Sequence, residues 1–292
     1  MENKPIPFSH FVITQFNLRN FPLSNNDGYE TWVQWTRNRI VLFKEYCLPS
    51  MLNQSCKAFK WLLYFDKDTP EEFKALIELL QSYDFIEICY SEGFEDFEQH
   101  YIQEVINRKD PSKEWVMTSR IDNDDCLHRD AIKVIQANFV PKQRYLISLA
   151  SGYTLDIERK TLSHYYYPMS PFISLIELAN EPMKGIFSKL HTRWDSLRLW
   201  MYKEIGLQYF NRKDRQSRFI LKQALWLQTV HGKNVSNSFY RGLPILRSKS
   251  LKDFALNFST QPLPISSISK YYDYVIWKRY FKSLVVRILV NK

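Results

Sequence analysis

The sequence lacks long apolar stretches. No apolar run approaches ~18 residues, the length that predicts a helical membrane span. The N-terminal Met-Glu-Asn-Lys-Pro-Ile-Pro has no apolar segment of the kind that a secretory signal needs. These two absences favour a protein that stays in the cytoplasm.

Cysteine is also scarce. The four cysteines, Cys47, Cys56, Cys89 and Cys126, include no Cys-x-x-Cys pair. Their spacing argues against a zinc site and against a disulfide framework. In a cytoplasmic protein this pattern predicts reduced, mostly buried thiols.

Acidic residues are fewer than basic ones. Lys and Arg total 40 against 31 Asp and Glu, which gives a formal net charge of +9. A charge of this sign suits anionic partners such as nucleotides, nucleic acid or a lipid surface. Nucleic-acid modules concentrate Lys and Arg on one aromatic-interleaved surface, whereas here the basic residues are dispersed apart from the C-terminal tail. We therefore do not expect nucleic acid as a partner.

Short apolar strands alternate with helices through the first half of the chain. Apolar residues make up 45% of the 292 residues, which is enough for one large α/β domain. Alternation of this kind indicates βαβ units and a mostly parallel, Rossmann-type sheet flanked by helices. The predicted strands are His10–Phe16, Lys60–Asp66, Phe85–Tyr90, Trp115–Arg120 and Tyr145–Leu149, and the predicted helices include Trp32–Leu48, Phe94–Arg108, Ala131–Phe139 and Ser170–Leu178.

Three carboxylates follow the fourth predicted strand within four positions: Asp122, Asp124 and Asp125. Like charges this close raise one another's pKa and oppose folding unless they are solvated, paired or bound to a metal. Hard oxygen ligands suit Mg²⁺ or Mn²⁺. In open α/β sheets, ligands bind at the carboxyl ends of the strands. The position and the chemistry together predict an active site here.

Several kinds of site place aspartates in this spacing. An EF-hand loop counted from Asp122 would need an oxygen ligand, a Gly and a Glu where the sequence has Cys126, Leu127 and Lys133, so that interpretation fails. A haloacid-dehalogenase-like phosphatase carries Asp-x-Asp after its first strand, whereas this motif lies in mid-chain. The Asp-x-Asp of a GT-A glycosyltransferase and a solvated acidic turn stay open on the residues alone.

Several segments, in this order and spacing, resemble a family of bacterial polysaccharide synthesis, the rhamnosyl transferases. They span about residues 8 to 240. The resemblance implies a GT-A-like glycosyltransferase that takes a nucleotide-sugar donor, dTDP-rhamnose among the candidates, and a glycan or lipid-linked acceptor. The matching segments are His10–Arg19, Arg39 with Leu42-Phe43, Tyr46–Ser50, Trp61–Asp66 with Thr69-Pro70, Ser119–Asp125, and Trp226-Leu-Gln with His231–Val235.

The resemblance also implies roles for particular residues. A divalent metal would be held by Asp122, Asp124, Asp125 and His231, the last beside Gly232 in a turn-prone segment. The nucleotide sugar would be contacted by polar residues near strand ends and by arginines that can pair with phosphate, namely Thr14, Arg19, Arg39, Asp66, Arg120 and Asp122. Each arginine could equally serve in a structural salt bridge.

An inverting transferase also needs a carboxylate that takes the proton from the acceptor hydroxyl. Acceptor residues in such folds usually follow the Asp cluster. Glu177 and Asp195 are the candidates in that part of the chain.

The chain divides into a GT-A-like domain, residues 1–245, and a basic, helical C-terminal extension, residues 246–292. Read as a helix, residues 274–290 place apolar side chains such as Trp277 and Phe281 along one stripe that Lys278 and Lys282 flank. This pattern is typical of an interfacial helix on an anionic membrane. It is equally typical of a helix that packs on protein. The function we expect is metal-dependent transfer of a sugar, with a phosphatase or a non-enzymatic basic binding protein as the alternatives.

Overall fold

The computed structural model describes most of the chain in detail. The described residues are 6–21, 26–158, 160–194, 199–202, 207–210, 216–231, 243–245, 248–261, 274, 277–278, 281 and 284–285.

Fourteen strands and six α-helices form the described structure. The strands are β1 Phe8–Gln15, β2 Lys60–Asp66, β3 Ile86–Ser91, β4 Trp115–Arg120, β5 Cys126–Leu127, β6 Tyr145–Leu149, β7 Ser151–Asp156, β8 Thr161–Tyr166, β9 Ile173–Leu178, β10 Leu199–Tyr202, β11 Leu207–Phe210, β12 Ser217–Ile220, β13 Trp226–Val230 and β14 Leu243–Pro244. The helices are α1 Asn26–Leu42, α2 Leu48–Leu52, α3 Lys74–Gln81, α4 Gly93–Arg108, α5 Ala131–Ala137 and α6 Ser248–Phe258. A π-helical turn, Phe43–Cys47, joins α1 to α2, and 3-10 turns lie at Glu71–Phe73, Ile186–Ser188 and His191–Arg193.

Seven strands form the central sheet in the order β12-β6-β9-β4-β1-β2-β3. β1 is parallel to both of its neighbours, β2 and β4, and β2 is parallel to β3. The carboxyl ends of these four strands therefore meet at one edge of the sheet, where we expected the site. Helices and apolar side chains cover the sheet, and the predicted α/β class with a mostly parallel central sheet flanked by helices is confirmed.

The strand β9 corrects one element of the sequence analysis, because a helix over Ser170–Leu178 was wrong. β9 runs antiparallel to β4 and β6 inside the sheet. Every residue from Ile173 to Glu177 is buried. A strand that is buried on both faces shows no apolar–polar alternation, so its short apolar run resembles that of a buried helix.

A second sheet, in the order β14-β8-β7-β13-β5, lies beside the end of β4. β5 follows the Asp cluster directly and pairs antiparallel with β13. β13 in turn runs parallel to β7. The pairing of β13 with β5 therefore brings residues 226–230 next to the residues that follow β4.

The helix α6 packs on the second sheet. Leu251, Phe254 and Phe258 are buried against residues of β7, β8 and β13. Further along the tail, the described residues at positions 274, 277–278, 281 and 284–285 are helical, and the rest of the tail lies outside the described residues. The boundary between residues 245 and 246 stays a prediction.

The described residues include no helix that combines the length and the apolar character needed to cross a membrane.

Candidate active site

The Asp cluster lies in a tight turn at the carboxyl edge of the central sheet. The backbone N–H of Asp125 donates to the carbonyl of Asp122 at 3.2 Å, which closes the turn. The amide of Asn123 donates to the carbonyl of Phe16 at 2.7 Å and so ties the turn to the end of β1. Neighbouring strands therefore fix the backbone that presents the carboxylates.

The strand β13 fixes the same turn from the other side. Trp226 and Leu227 face Leu127 and Cys126 in the antiparallel pair, which brings Thr229 up to the Asp cluster. The Thr229 hydroxyl donates to the carbonyl of Asp124 at 2.7 Å. His231, two residues further on, then lies at the site although more than a hundred residues separate it from Asp124. The predicted turn-prone segment thus begins as a strand, and residues 232–242 lie outside the described residues.

The carboxylate of Asp124 has two cationic or hydrogen-bonding partners. The Arg39 guanidinium forms an ion pair with its Oδ2. His231 Nε2 lies 3.3 Å from the same oxygen. All three side chains are largely buried: Asp124 is 8% exposed, Arg39 12% and His231 13%. Burial opposes ionisation of Asp124, but the hydrogen bond with His231 and the charge of Arg39 hold its pKa below the ordinary value.

Asp125 is turned into the protein instead. Its Oδ1 accepts the backbone N–H of Thr229 at 3.2 Å. Burial, followed by the charges of Asp124 and Asp122, raises the pKa of Asp125 well above its ordinary value. Asp125 therefore holds β13 against the turn, and its direct ligation of a metal stays a prediction.

Asp122 is the most exposed of the three carboxylates, with 48% of its side chain accessible. Its Oδ1 accepts a hydrogen bond from Arg120 Nη2 at 3.2 Å. The Arg120 guanidinium also lies over the ring of Phe187, 4.9 Å from its centroid. Asp122 is therefore accessible to a ligand, whereas the Arg120 side chain is only 13% exposed.

Two residues at the site did not figure in the sequence analysis as functional. Asn123 lies 3.5 Å from Arg39 through its Oδ1, and the Arg39 guanidinium lies over the Trp35 ring at 5.0 Å from the centroid. A signal for Asn123 was available, because it lies inside the Asp-Asn-Asp motif. Trp35 carried no signal, since its spacing fits the apolar face of α1.

Arg19 and Asp66 contact each other at the ends of β1 and β2. Arg19 Nε donates to Asp66 Oδ1 at 2.9 Å, and the Arg19 backbone N–H donates to Oδ2 at 3.1 Å. Arg19 also pairs with Asp68. The Asp66 side chain is fully buried. The two residues predicted to contact the nucleotide therefore form a structural ion pair, although Arg19 also borders a cavity described below.

Thr14 lies inside the sheet and not at its surface. Its hydroxyl donates to the carbonyl of Ile121 at 2.8 Å and accepts the indole N–H of Trp61 at 3.0 Å. The residue is fully buried. The Thr14 hydroxyl thus has its partners within the protein, which counts against the predicted contact between Thr14 and the nucleotide sugar.

Glu177 lies at the far end of the sheet from the Asp cluster. It faces Val116 near the start of β4, whereas the cluster follows the end of that strand. Its carboxylate accepts the backbone N–H groups of Lys184 and Gly185 at 2.9 and 2.8 Å. This position counts against Glu177 as the catalytic base, and that role stays a prediction. The other candidate base, Asp195, lies outside the described residues.

The donor set beside Asp124 fits a small divalent cation. Asp124 Oδ2 and His231 Nε2 lie 3.3 Å apart, and adjacent ligands of one octahedral ion at ~2.1 Å from the metal lie about 3 Å from each other. In the described ranges, no group of three His, Cys, Asp or Glu side chains is arranged to hold a metal. Mg²⁺ commonly uses one or two carboxylates together with substrate phosphates and water. The pair therefore suits a cation that is shared with a bound diphosphate.

A cavity of about 820 Å³ lies next to Trp35, and none of Asp122, Asp124 and Asp125 is among its lining residues. Trp35 belongs to its lining and also carries the Arg39 guanidinium, so the cavity and Asp124 are connected through Arg39. At one side of the cavity the backbone of Gly93 lies close to the Arg19 carbonyl, and an added Cβ would lie 2.9 Å from that oxygen. The φ angle of Gly93 is +79°, a conformation that favours glycine. The lining consists of Leu18, Arg19, Asn20, Phe21, Asp27, Gly28, Thr31, Trp32, Trp35 and Phe94.

Distant similarity links the chain to solved structures. TarS 1–349 of S. aureus in complex with UDP is 11% identical over 76% of this chain and 60% of that one, with a TM-score of 0.37. S. aureus TarS gives 11% identity, 76% and 36% coverage and a TM-score of 0.38. The 4-diphosphocytidyl-2C-methyl-D-erythritolsynthase from Anaerococcus prevotii DSM 20548 gives 14% identity, 57% and 69% coverage and a TM-score of 0.28. The chain thus spans 60% or less of the TarS chains.

No curated protein matches the sequence. A family model does, over residues 26–197, which is more than half of the chain and includes α1, the Asp cluster and β9. This match agrees with the family resemblance drawn from the sequence and not with the phosphatase or the non-enzymatic binding protein. The chain belongs to the family described as Putative rhamnosyl transferase.

Proposed function

We propose that the protein transfers a sugar from a nucleotide-sugar donor to a glycan or lipid-linked acceptor with the help of Mg²⁺ or Mn²⁺. The observation that carries this proposal is the convergence of Arg39, Asp124 and His231 at the carboxyl edge of the sheet. Arg39 also lies over the ring of Trp35, which lines a cavity of about 820 Å³. A buried carboxylate with an adjacent imidazole and guanidinium supplies both a cation site and a phosphate contact.

The donor would lie with its nucleoside in the cavity and its diphosphate towards Asp124. Trp32 and Trp35 offer ring surfaces for the nucleoside. Arg39 can donate to a diphosphate oxygen, and Arg120 can do the same from the Asp122 side. Asp124 and His231 would hold the metal, which supplies Lewis-acid stabilisation to the leaving diphosphate when it is bound. The sugar itself, with rhamnose as the family description indicates, would project towards Asp122.

Inversion at the sugar would require one carboxylate to take the acceptor's proton. With Glu177 buried at the opposite end of the sheet, Asp195 is the candidate that remains from the sequence. It follows the turn His191–Arg193, which lies beyond β9. We propose Asp195 as the base on that ground.

A lipid-linked acceptor would place the enzyme at the cytoplasmic face of a membrane. Tyr274 and Phe281 are helical in the tail and are 74% and 58% exposed. Exposed aromatic residues beside Lys278 suit the boundary between headgroups and acyl chains. The proposal for this tail is a peripheral contact with anionic lipid, and co-sedimentation with anionic vesicles at low salt tests it.

The proposed function can be tested with Asp124→Asn. Loss of a charged group that contacts the metal should lower the transfer rate by about a hundredfold or more. Donors would first be found by a thermal-shift screen of nucleotide sugars with and without Mn²⁺, because a ligand at a hundred times its Kd stabilises by about 2.7 kcal/mol.

Asp130→Asn is the matched control for this experiment. Asp130 directly precedes α5 and accepts a hydrogen bond from the Ser55 hydroxyl on the surface at 2.7 Å. The control should transfer sugar like the wild type. Normal turnover by a folded Asp124→Asn enzyme would contradict the proposed site.

A further inference from the structure

The residue Arg39 occupies an unusual position for a phosphate contact. It forms an ion pair with Asp124, the carboxylate that the proposed function assigns to the metal. The same oxygen, Oδ2, also lies 3.3 Å from His231 Nε2. A divalent cation that binds this oxygen would have to share it with a guanidinium of the same sign of charge. The two cations therefore oppose each other at Asp124.

The surroundings of Arg39 allow it a second position. Its guanidinium lies over the Trp35 ring at 5.0 Å from the centroid, and Trp35 lines the cavity. Asn123 makes a long contact of 3.5 Å with Arg39 Nη1. A guanidinium that stays on the same ring could turn from Asp124 towards an anion that enters the cavity. Its planar fork of donors matches a phosphate as well as a carboxylate.

The number of metal ligands leads to the same conclusion. Asp124 and His231 form a pair, and the described part of the chain adds no third ligand of the His, Cys, Asp or Glu type to make a group. Two protein ligands are few for Mg²⁺ or Mn²⁺ unless phosphate oxygens complete the coordination. A metal that arrives without a diphosphate would thus meet both a shortage of ligands and the charge of Arg39.

We propose that Arg39 is a resident counter-ion of Asp124 which opposes binding of the metal alone and turns to the donor's diphosphate when the metal and the nucleotide bind together. Metal and nucleotide are then coupled by an exchange of cations at one carboxylate. The free enzyme keeps Asp124 paired, and the metal is taken up chiefly with the donor. This inference rests on the proposed function, since it assumes a metal at Asp124.

Arg39→Met separates this proposal from a simple phosphate contact. Binding of Mn²⁺ would be measured by electron paramagnetic resonance, with and without dTDP or UDP, against blanks that contain Mn²⁺ and nucleotide only. A nearby charge changes the affinity for a proton by roughly ten- to a thousandfold, so we expect the variant to bind Mn²⁺ alone at least about tenfold more tightly than the wild type. When dTDP or UDP is present, Arg39→Met should bind Mn²⁺ together with the nucleotide about tenfold or more weakly than the wild type, because the variant lacks a charge-assisted hydrogen bond to the diphosphate.

The matched control is Arg37→Met, on the same helix α1. Arg37 pairs with Glu72 on the surface, where its side chain is 49% exposed, away from the Asp cluster. The Arg37→Met variant should bind Mn²⁺ and nucleotide with the affinities of the wild type. Circular dichroism would verify the fold of each variant, and Arg39→Gln, which can still donate a hydrogen bond to Asp124, serves if the Met variant does not fold.

The outcomes separate this inference from the proposed function. If the wild type binds Mn²⁺ together with a nucleotide and Arg39→Met binds Mn²⁺ alone no better than the wild type does, the counter-ion role is refuted while the proposed function stands. If the wild type binds Mn²⁺ neither alone nor with dTDP or UDP, the metal-dependent function fails, and the inference fails with it. Opposite changes in the two affinities of the variant support the exchange.

Discussion

His10 provides a sharp test of how the polar groups inside the sheet are arranged. It lies in β1 and is only 3% exposed. Gln136 Nε2 donates to its Nδ1 at 3.1 Å, so Nε2 carries the proton and faces the Ser119 hydroxyl at 2.8 Å. Ser119 in turn lies 2.6 Å from the hydroxyl of Ser174. This chain of hydrogen bonds uses a neutral imidazole with one defined tautomer.

Protonation of His10 is strongly disfavoured in the folded state. Burial lowers its pKa from the ordinary 6.5 to about 3. As the pH falls below 6.5, the unfolded chain therefore takes up a proton that the folded chain does not. The contribution of neutral His10 to the free energy of unfolding is fully present above pH 6.5 and is lost as the pH falls towards 3. At about 1.36 kcal/mol for each pKa unit, the loss is about 2 kcal/mol at pH 5 and approaches about 5 kcal/mol near pH 3.

The assay compares the wild type with His10→Gln by guanidinium chloride unfolding at pH 7, 6 and 5. Gln offers both a donor and an acceptor but does not titrate, so other groups cancel in the difference between the two proteins. We expect the wild type to lose about 2 kcal/mol relative to the variant between pH 7 and pH 5. His100→Gln, on the exposed side of α4, is the control and should follow the wild type. Parallel pH profiles for the wild type and His10→Gln would refute the reasoning.

Further predictions concern the two candidate bases and one buried glycine. Glu177→Gln should lower the free energy of unfolding by about 1–3 kcal/mol, because Lys184 and Gly185 donate to different carboxylate oxygens and an amide NH2 group cannot accept either bond. Turnover of this variant should stay near that of the wild type, and a collapse of its activity in a folded enzyme would support Glu177 as the base. Asp195→Asn should instead lower turnover by roughly 10²–10⁴. Gly152→Ala should destabilise by about 1–3 kcal/mol, because its Cβ would lie 2.0 Å from the buried Trp226 ring, and an unchanged denaturation midpoint would contradict this packing.

Much of the parallel half of the fold could be predicted because its elements are local and well marked. The run Trp61–Phe65 is fully apolar and buried, and it forms β2 as expected. β9 could not be predicted in the same way. β9 lies between β4 and β6 because it pairs with residues that are 25 or more positions away in the sequence, as Ser148 pairs with Ile173. No local sequence pattern indicates a pairing of this range.

The candidate site, like the fold, could be predicted only in part. The proximity of His231 to Asp124 could be predicted from the family resemblance, which includes both segments, and the carboxylate cluster after a strand is visible in the sequence itself. Which carboxylates stay available could not be predicted. Asp66 is neutralised by Arg19, and Asp125 is turned to Thr229, through contacts that depend on the tertiary structure. A polar residue at a strand end looks the same in the sequence whether its partner is a ligand or another part of the protein.

The family match covers the Asp cluster but not the strand that brings His231 to it. The family match ends at residue 197, before β13 and His231. The matched range therefore includes the Asp cluster and Arg39 but not the imidazole that lies beside Asp124. His231 reaches Asp124 because β13 pairs with β5 and because Thr229 bonds to Asp124 and Asp125. A change that separates β13 from β5 should therefore remove the imidazole from the site while the central sheet and the Arg39–Asp124 pair persist.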